Sequence, residues 1–405
     1  MKQIPGGVTA AKGFKASGAH VGVKSRNNGK KDLALIASEC ECAAAAVYTL
    51  NRVKAAPLYV TMENIENGFA RAIICNSGNA NACAPGGIEN ARRMCAAAAA
   101  ALGIEPADVI VASTGVIGQT LNIKAIEEGL PKLASSLSED GSDKAAEAIM
   151  TTDTLKKDIA VEFVLGGKTV RMGGIAKGSG MIQPNMGTML AFITTDAAIT
   201  PGILHEALAE VTKKTFNRVC VDGDTSTNDM CAVLANGLAE NPLIEWKDED
   251  YTVFKGALHF ICEALAKMIA SDGEGATKLI TCTMKNSRSE DAAERLAVTV
   301  ISSSLVKTAM FGADANWGRV LCAMGYSKAP FRPEYVDMSF KSAAGEIEVC
   351  KQGEGLEFDE ELAKKVLSQN EVEIIVNLNE DDACASAWGC DLTYDYVKIN
   401  GDYRT

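Results

Sequence analysis

Histidine is nearly absent: the three in 405 residues, His20, His205 and His259, are isolated from one another and from any carboxylate motif. Each reads as an ordinary core or surface residue rather than a ligand or base. None of the thirteen cysteines forms a C-x-x-C pair, which excludes a zinc ribbon and a thioredoxin-type dithiol. No uninterrupted apolar run reaches the roughly 20 residues of a membrane span, and the opening from Met1 to Gly18 lacks an apolar signal segment. The expectation is a cytoplasmic chain. Basic charge is in deficit, 40 Lys+Arg against 52 Asp+Glu for a net −12, so phosphate polymers and anionic lipid surfaces are repelled. No phosphate-loop spacing and no G-x-G-x-x-G following a strand occurs, which leaves NTP and NAD binding without support. Gly 36 and Pro 10 are too few for a collagen-like or linker composition.

What is present is globular: 47% hydrophobic and 23% charged residues, in a length that permits one large or two to three ordinary domains. The cysteines are odd in number, irregular in spacing and often set in apolar runs, as buried free thiols of a reducing compartment are. Strand-like runs are expected over 69–75, 108–113, 188–195, 278–284 and 371–377. Helical periodicity is expected over 87–102, 122–137, 203–217, 251–270 and 290–310, the fourth with Leu258, Ile261, Leu265 and Ile269 on one face. The fold class is α/β (α+β), with antiparallel layers covered by helices at least as well supported as one doubly wound sheet. Residues 173–187, GGIAKGSGMIQPNMG, read as a glycine-dense turn running into the strand that starts at Thr188.

That junction has the form that intramolecular chain cleavage requires. A threonine hydroxyl can attack the preceding carbonyl, and an N-to-O acyl shift followed by ester hydrolysis leaves Thr188 as a new chain terminus. Its freed α-amine is then the base for its own hydroxyl, so no histidine is needed. Gly187 allows the strained dihedrals of such a step. Taken alone, Gly187-Thr188 reads more simply as a β-former opening a strand. Ser113-Thr114-Gly115, at the end of an apolar strand, offers a hydroxyl and backbone amides for an oxyanion, or an ordinary Ser/Thr turn. Lys177 could hold a carboxylate, and Glu274, flanked by glycines, an ammonium group; a solvated loop charge and a helix-end charge are the plainer readings. Asn76–Asn81 (NSGNAN) and Gly312–Arg319 (GADANWGR) are polar loops suited to turns or ligand contact.

Together, PGGVTAAKGFKASG at the start, ASTGVIG, MTTDT at 150–154, KGSGMIQPNMGTMLAF, VDGDTSTND, SDGEGATK, GADANWGR and the closing INGDYRT resemble the ornithine acetyltransferase family, the arginine biosynthesis bifunctional proteins. The resemblance covers essentially the whole chain in the family's order. It starts within the first few residues, so no transit peptide is expected.

The resemblance implies an αββα sandwich of the N-terminal-nucleophile type, built from two self-cleavage fragments, 1–187 and 188–405, usually as an α2β2 heterotetramer. It implies transfer of an acetyl group from N2-acetyl-L-ornithine to L-glutamate through an acetyl-Thr188 intermediate, with ping-pong kinetics. Thr188 occupies the nucleophile position, Gly187-Thr188 the cleaved bond, and Thr114 with Gly115 the oxyanion positions. Thr151, Lys177, Thr188, Glu274, Asn400 and Thr405 match substrate-binding positions. No metal or organic cofactor is implied; acetyl-CoA, the second donor of bifunctional members, is the one co-substrate added. Two departures stand out: Gly187 where the family commonly has Ala, and Gln183 where it often has His. Glycine is small enough for processing to proceed, and Gln183 is not an acid or base. The rival within enzymes is an aminopeptidase or amidase of the same nucleophile type with water as acceptor. The rival outside them is an uncleaved binding protein.

Overall fold

The computed structural model describes residues 1–23, 29–183 and 189–401. They form two compact units: 1–178 with 189–217 and 225–265, and 179–183 with 218–224 and 266–401.

Among the described residues the first unit carries a nine-stranded mixed sheet. Its order is Lys2–Ile4, Lys157–Leu165, Lys168–Lys177, Leu190–Thr195, Met230–Ala235, Leu33–Tyr48, Phe69–Asn76 and Val109–Ser113, with Phe14–Ala19 also paired to Leu33–Tyr48. Two neighbour pairs are parallel, Leu190–Thr195 with Met230–Ala235 and Phe69–Asn76 with Val109–Ser113. Alternation along these strands feeds two cores. Ile73, Cys75, Ile110 and Ala112 join one, with Ala145 and Ala146 of the helix Ser142–Ala148. Ala72, Ile74, Val109 and Val111 join the other, under Met94 and Ala98 of Gly87–Leu102 and Ile126, Leu130 and Leu133 of Ile123–Ser135. A sheet buried on both faces explains why its strands read as near-continuous apolar runs.

The second unit holds a seven-stranded sheet in the order Glu354–Gly355, Gly345–Lys351, Asp337–Ser342, Glu371–Asn377, Leu279–Ser287, Ala383–Cys390, Val219–Cys220. Ile374 and Val376 face a core shared with Leu296 and Val300 of the helix Glu290–Ser302, Met310 of Ser304–Phe311 and Val366 of Glu360–Leu367.

The mixed class expected from the sequence is the one adopted. The chain fragments expected on either side of 187/188 divide the molecule differently from its compact units: Leu190–Thr195 and Met230–Ala235 share a sheet with Lys168–Lys177 and Leu33–Tyr48.

Two local expectations are corrected. Residues 173–177 are strand, not turn; the turn begins at Gly178. Gly173 and Gly174 serve close approach there, since a Cβ on Gly173 would stand 2.0 Å from the Gly7 carbonyl oxygen and one on Gly174 3.1 Å from Leu265. The helix expected over 290–310 is two helices divided at Ser303, whose hydroxyl caps the second by accepting from the Val306 amide. All thirteen cysteines are free and most are buried, as expected. Each of two histidines that the sequence sets apart from any carboxylate motif has an acidic neighbour: exposed His20 stands beside the buried Asp32, and half-buried His259 beside half-buried Glu263.

Candidate active site

The strand Val109–Ser113 is wholly buried and delivers Thr114 and Gly115 at its end. Thr114 donates its amide to the Asn76 carbonyl at 2.9 Å, and the Ser113 hydroxyl donates to Asn76 Oδ1 at 2.6 Å. Asn76 Nδ2 donates to the Asn79 carbonyl, and the Ala80 amide to Val116, so the NSGNAN loop and the loop after Ser113 are laced together. Gly115 has φ +133°, and a Cβ there would lie 2.3 Å from the Gly78 carbonyl carbon. Only glycine fits. With the Thr114 amide spent, its hydroxyl is the donor left over, and no described residue hydrogen-bonds to it.

Lys177 ends the strand Lys168–Lys177 and is 7% exposed. Asp153, from the MTTDT segment, is the hub beside it. Its carboxylate accepts from the Gly178 amide at 2.6 Å, the Thr151 amide at 3.0 Å and Lys157 Nζ at 2.7 Å. Burial pushes the Asp153 carboxyl up, but the charges of Lys177 and Lys157, the Lys157 hydrogen bond and the Thr151 amide outweigh it and hold it at about 2 against an ordinary 3.8. It is therefore ionised in working conditions. Burial likewise raises the Cys75 thiol, with the Lys177 charge opposing it. Lys177 thus lies in the neighbourhood of Cys75, the residue before Asn76. The first unit thus carries Thr114 and Gly115 at the end of one strand, and Thr151 and Lys177 about the Asp153 carboxylate.

The second unit carries the other described candidates. Glu274 donates its amide to the Ser179 carbonyl at 2.8 Å, and its carboxylate lies so close to Gly180 that a Cβ there would be 2.3 Å from it. Asn400 Nδ2 donates to Glu274 Oε2 at 2.7 Å, so Asn400 and the DGEG turn meet as a pair. Asp222 accepts from the amides of Met181 and Ile182 at 2.6 and 2.8 Å and from the Tyr396 hydroxyl at 3.2 Å. Burial, then Asp222 itself, raise the Tyr396 phenol, which keeps it a donor. Gln183 donates its amide to the Asp224 carbonyl and its side chain to the Ser302 hydroxyl at 3.3 Å, the contacts of a structural polar residue. Gly187, Thr188 and Thr405 lie outside the described residues.

Sequence reasoning missed Asp153, Asp222 and Asn228. Each sits inside a motif that was noticed, MTTDT or VDGDTSTND, but the signal lay in which backbone amides and carbonyls the fold brings to it.

The family model described as ArgJ family matches residues 15–405. The chain belongs to the ArgJ family. The arginine biosynthesis bifunctional protein ArgJ of Caldanaerobacter subterraneus subsp. tengcongensis is 50% identical to it over 406 residues, with 100% of both chains covered. That of Symbiobacterium thermophilum is 52% identical over 406 residues, again with 100% of both covered. The crystal structure of the arginine biosynthesis bifunctional protein argJ from Bacillus halodurans is 48% identical, with a TM-score of 0.50, covering 53% of this chain and 99% of that one. Among the described residues no helix of this ArgJ-family chain is long and apolar enough to cross a membrane.

Proposed function

We propose that this ArgJ-family enzyme cleaves itself between Gly187 and Thr188 and then moves an acetyl group from N2-acetyl-L-ornithine to L-glutamate. Thr188 attacks the acetyl carbonyl, its α-amine takes the proton, and the Thr114 hydroxyl with the Gly115 amide stabilises the oxyanion. The α-ammonium passes that proton to the departing nitrogen, the C–N bond breaks and ornithine leaves as the amine, while the acetyl group stays behind as a Thr188 ester. The amine of glutamate then attacks that ester, its surplus proton returns through the α-amine, and the threonine is regenerated. The scheme calls for no metal or organic cofactor.

The observation that carries the reading is the state of Thr114: its amide is bonded to Asn76, its hydroxyl has no partner among the described residues, and Gly115 beside it is fixed in a conformation only glycine adopts. Lys177 supplies the buried cation for the α-carboxylate common to both substrates. Glu274, held by Asn400, supplies an anion for the side-chain ammonium of ornithine. Thr151 is set for substrate contact by its amide bond to Asp153. Thr188 and Thr405 complete the substrate-binding set.

The solved Bacillus halodurans chain supports the cleavage step. Nearly all of it matches, yet it spans 53% of this chain, close to the share of residues 188–405, 218 of 405 or about 54%. The bifunctional name of the full-length relatives supports a second activity, which we propose is acetylation of glutamate from acetyl-CoA. We further propose an α2β2 assembly of the two fragments in the cytoplasm.

The test is to incubate the protein with acetylornithine alone and weigh the fragment that begins at Thr188. A gain of one acetyl group, lost on adding glutamate, is expected. No acetylated species, with release of free acetate, would favour a hydrolase.

A further inference from the structure

The VDGDTSTND segment takes no part in the scheme above, yet one of its residues joins the two loops that hold the oxyanion donors. Asn228 is 7% exposed. Its Nδ2 donates to the Ser113 carbonyl at 2.7 Å and to the Ala80 carbonyl at 2.7 Å. Its Oδ1 accepts from the Thr227 hydroxyl at 2.6 Å. Two acceptors on one side and a donor on the other fix which way the amide faces.

Each bond falls at a sensitive place. Ser113 is the residue before Thr114, and its carbonyl stands at the point where the buried strand gives way to the loop. Ala80 belongs to the loop whose Gly78 backbone packs against Gly115. The remaining ties between these loops include the Thr114 to Asn76, Ala80 to Val116 and Gly118 to Ala82 backbone bonds and the Asn79 to Gln119 side-chain bond. Asn228 is the group that comes from a third segment and grips both. Oxyanion stabilisation depends on donors that do not have to reorganise as charge develops.

We propose that Asn228 is a positioning residue, clamping the 113–115 and 76–81 loops so that the Thr114 hydroxyl and Gly115 amide are preset for the oxyanion. This rests on the roles given above to Thr114 and Gly115. Asn228 works through those donors.

The experiment compares the parent protein with Asn228→Asp and Asn228→Ala, measuring melting temperature, kcat and both KM values. Asn228→Asp keeps the shape but turns a carboxylate oxygen toward a carbonyl that the amide had served. A fall in kcat of about tenfold or more is expected, with both KM values held within about threefold. Thr114→Val and the double variant Thr114→Val/Asn228→Ala complete a cycle. Because Asn228 acts through both donors, and the Gly115 amide remains when the Thr114 hydroxyl is gone, the double variant should lose clearly less than the product of the two single losses. Unchanged kcat in folded variants, a loss confined to KM, or losses that multiply would overturn the proposal. Should both Asn228 variants fail to fold, Thr227→Val removes only the bond to Oδ1; a smaller fall in kcat at steady KM is expected, and an unchanged kcat would overturn the clamp. A parent protein that transfers no acetyl group would sink the transferase reading and this proposal with it. An active parent with indifferent variants would sink the clamp alone.

Discussion

Asp153 and Gly178 are joined by a 2.6 Å hydrogen bond from the Gly178 amide to the buried Asp153 carboxylate, and this fixes the backbone directly after Lys177. The same carboxylate holds the Thr151 amide, so one buried anion orders two residues assigned to substrate binding.

Its titration gives a pH prediction. The folded carboxyl stands at about 2 and the unfolded one near 3.8, so the folded state favours the ionised form. The stabilisation, about 2 kcal/mol, is fully present above pH 3.8 and is lost as pH falls through about 2. Unfolding midpoints in urea, measured between pH 5 and roughly 2 for the parent and Asp153→Asn, should converge toward the acid end. Parallel pH curves would show that Asp153 is not the titrating group.

Lys177→Met removes the buried cation that we assign to the shared α-carboxylate. KM should rise about tenfold or more for both acetylornithine and glutamate. Steady-state kinetics with each substrate varied decides it, and two unchanged constants would remove Lys177 from that role.

Glu274→Gln keeps an acceptor beside Asn400 but discards the charge. The KM for acetylornithine should rise about tenfold while that for glutamate, which has no side-chain ammonium, stays within about twofold. Equal changes in both would show that Glu274 does not discriminate between the two side chains.

Gly115→Ala forces a side chain into the Gly78 backbone at a φ that only glycine adopts readily. The cost should be about 1–3 kcal/mol of stability, with kcat down about a hundredfold as the oxyanion donors are displaced. A folded variant with parental kcat would rule out an oxyanion role at this position.

Much of the fold is legible in the sequence where period and length agree. The strand over 371–377 and the helix over 87–102 fall where the pattern puts them. The long central strand Leu33–Tyr48 is not legible, because its buried run Ala43–Ala46 has the composition of a helix. Ala96–Ala101 is the same composition in a helix, and only the sheet neighbours of 43–46 separate the two. The site divides the same way. Thr114, Lys177, Glu274 and Asn400 stand in recognisable motifs, whereas Asp153, Asp222 and Asn228 act on backbone groups supplied by distant segments. Such partners follow from tertiary structure and leave no periodic or spacing signal.

The central claim is that Thr188 is freed by chain cleavage and becomes the nucleophile. Denaturing mass spectrometry of the purified protein beside Thr188→Ala tests it most directly. The account predicts two fragments of about 20 and about 23 kDa in the parent, the shares of 42.6 kDa carried by 187 and 218 of 405 residues, and one intact chain in the variant. A parent that transfers acetyl groups as a single intact chain would contradict it.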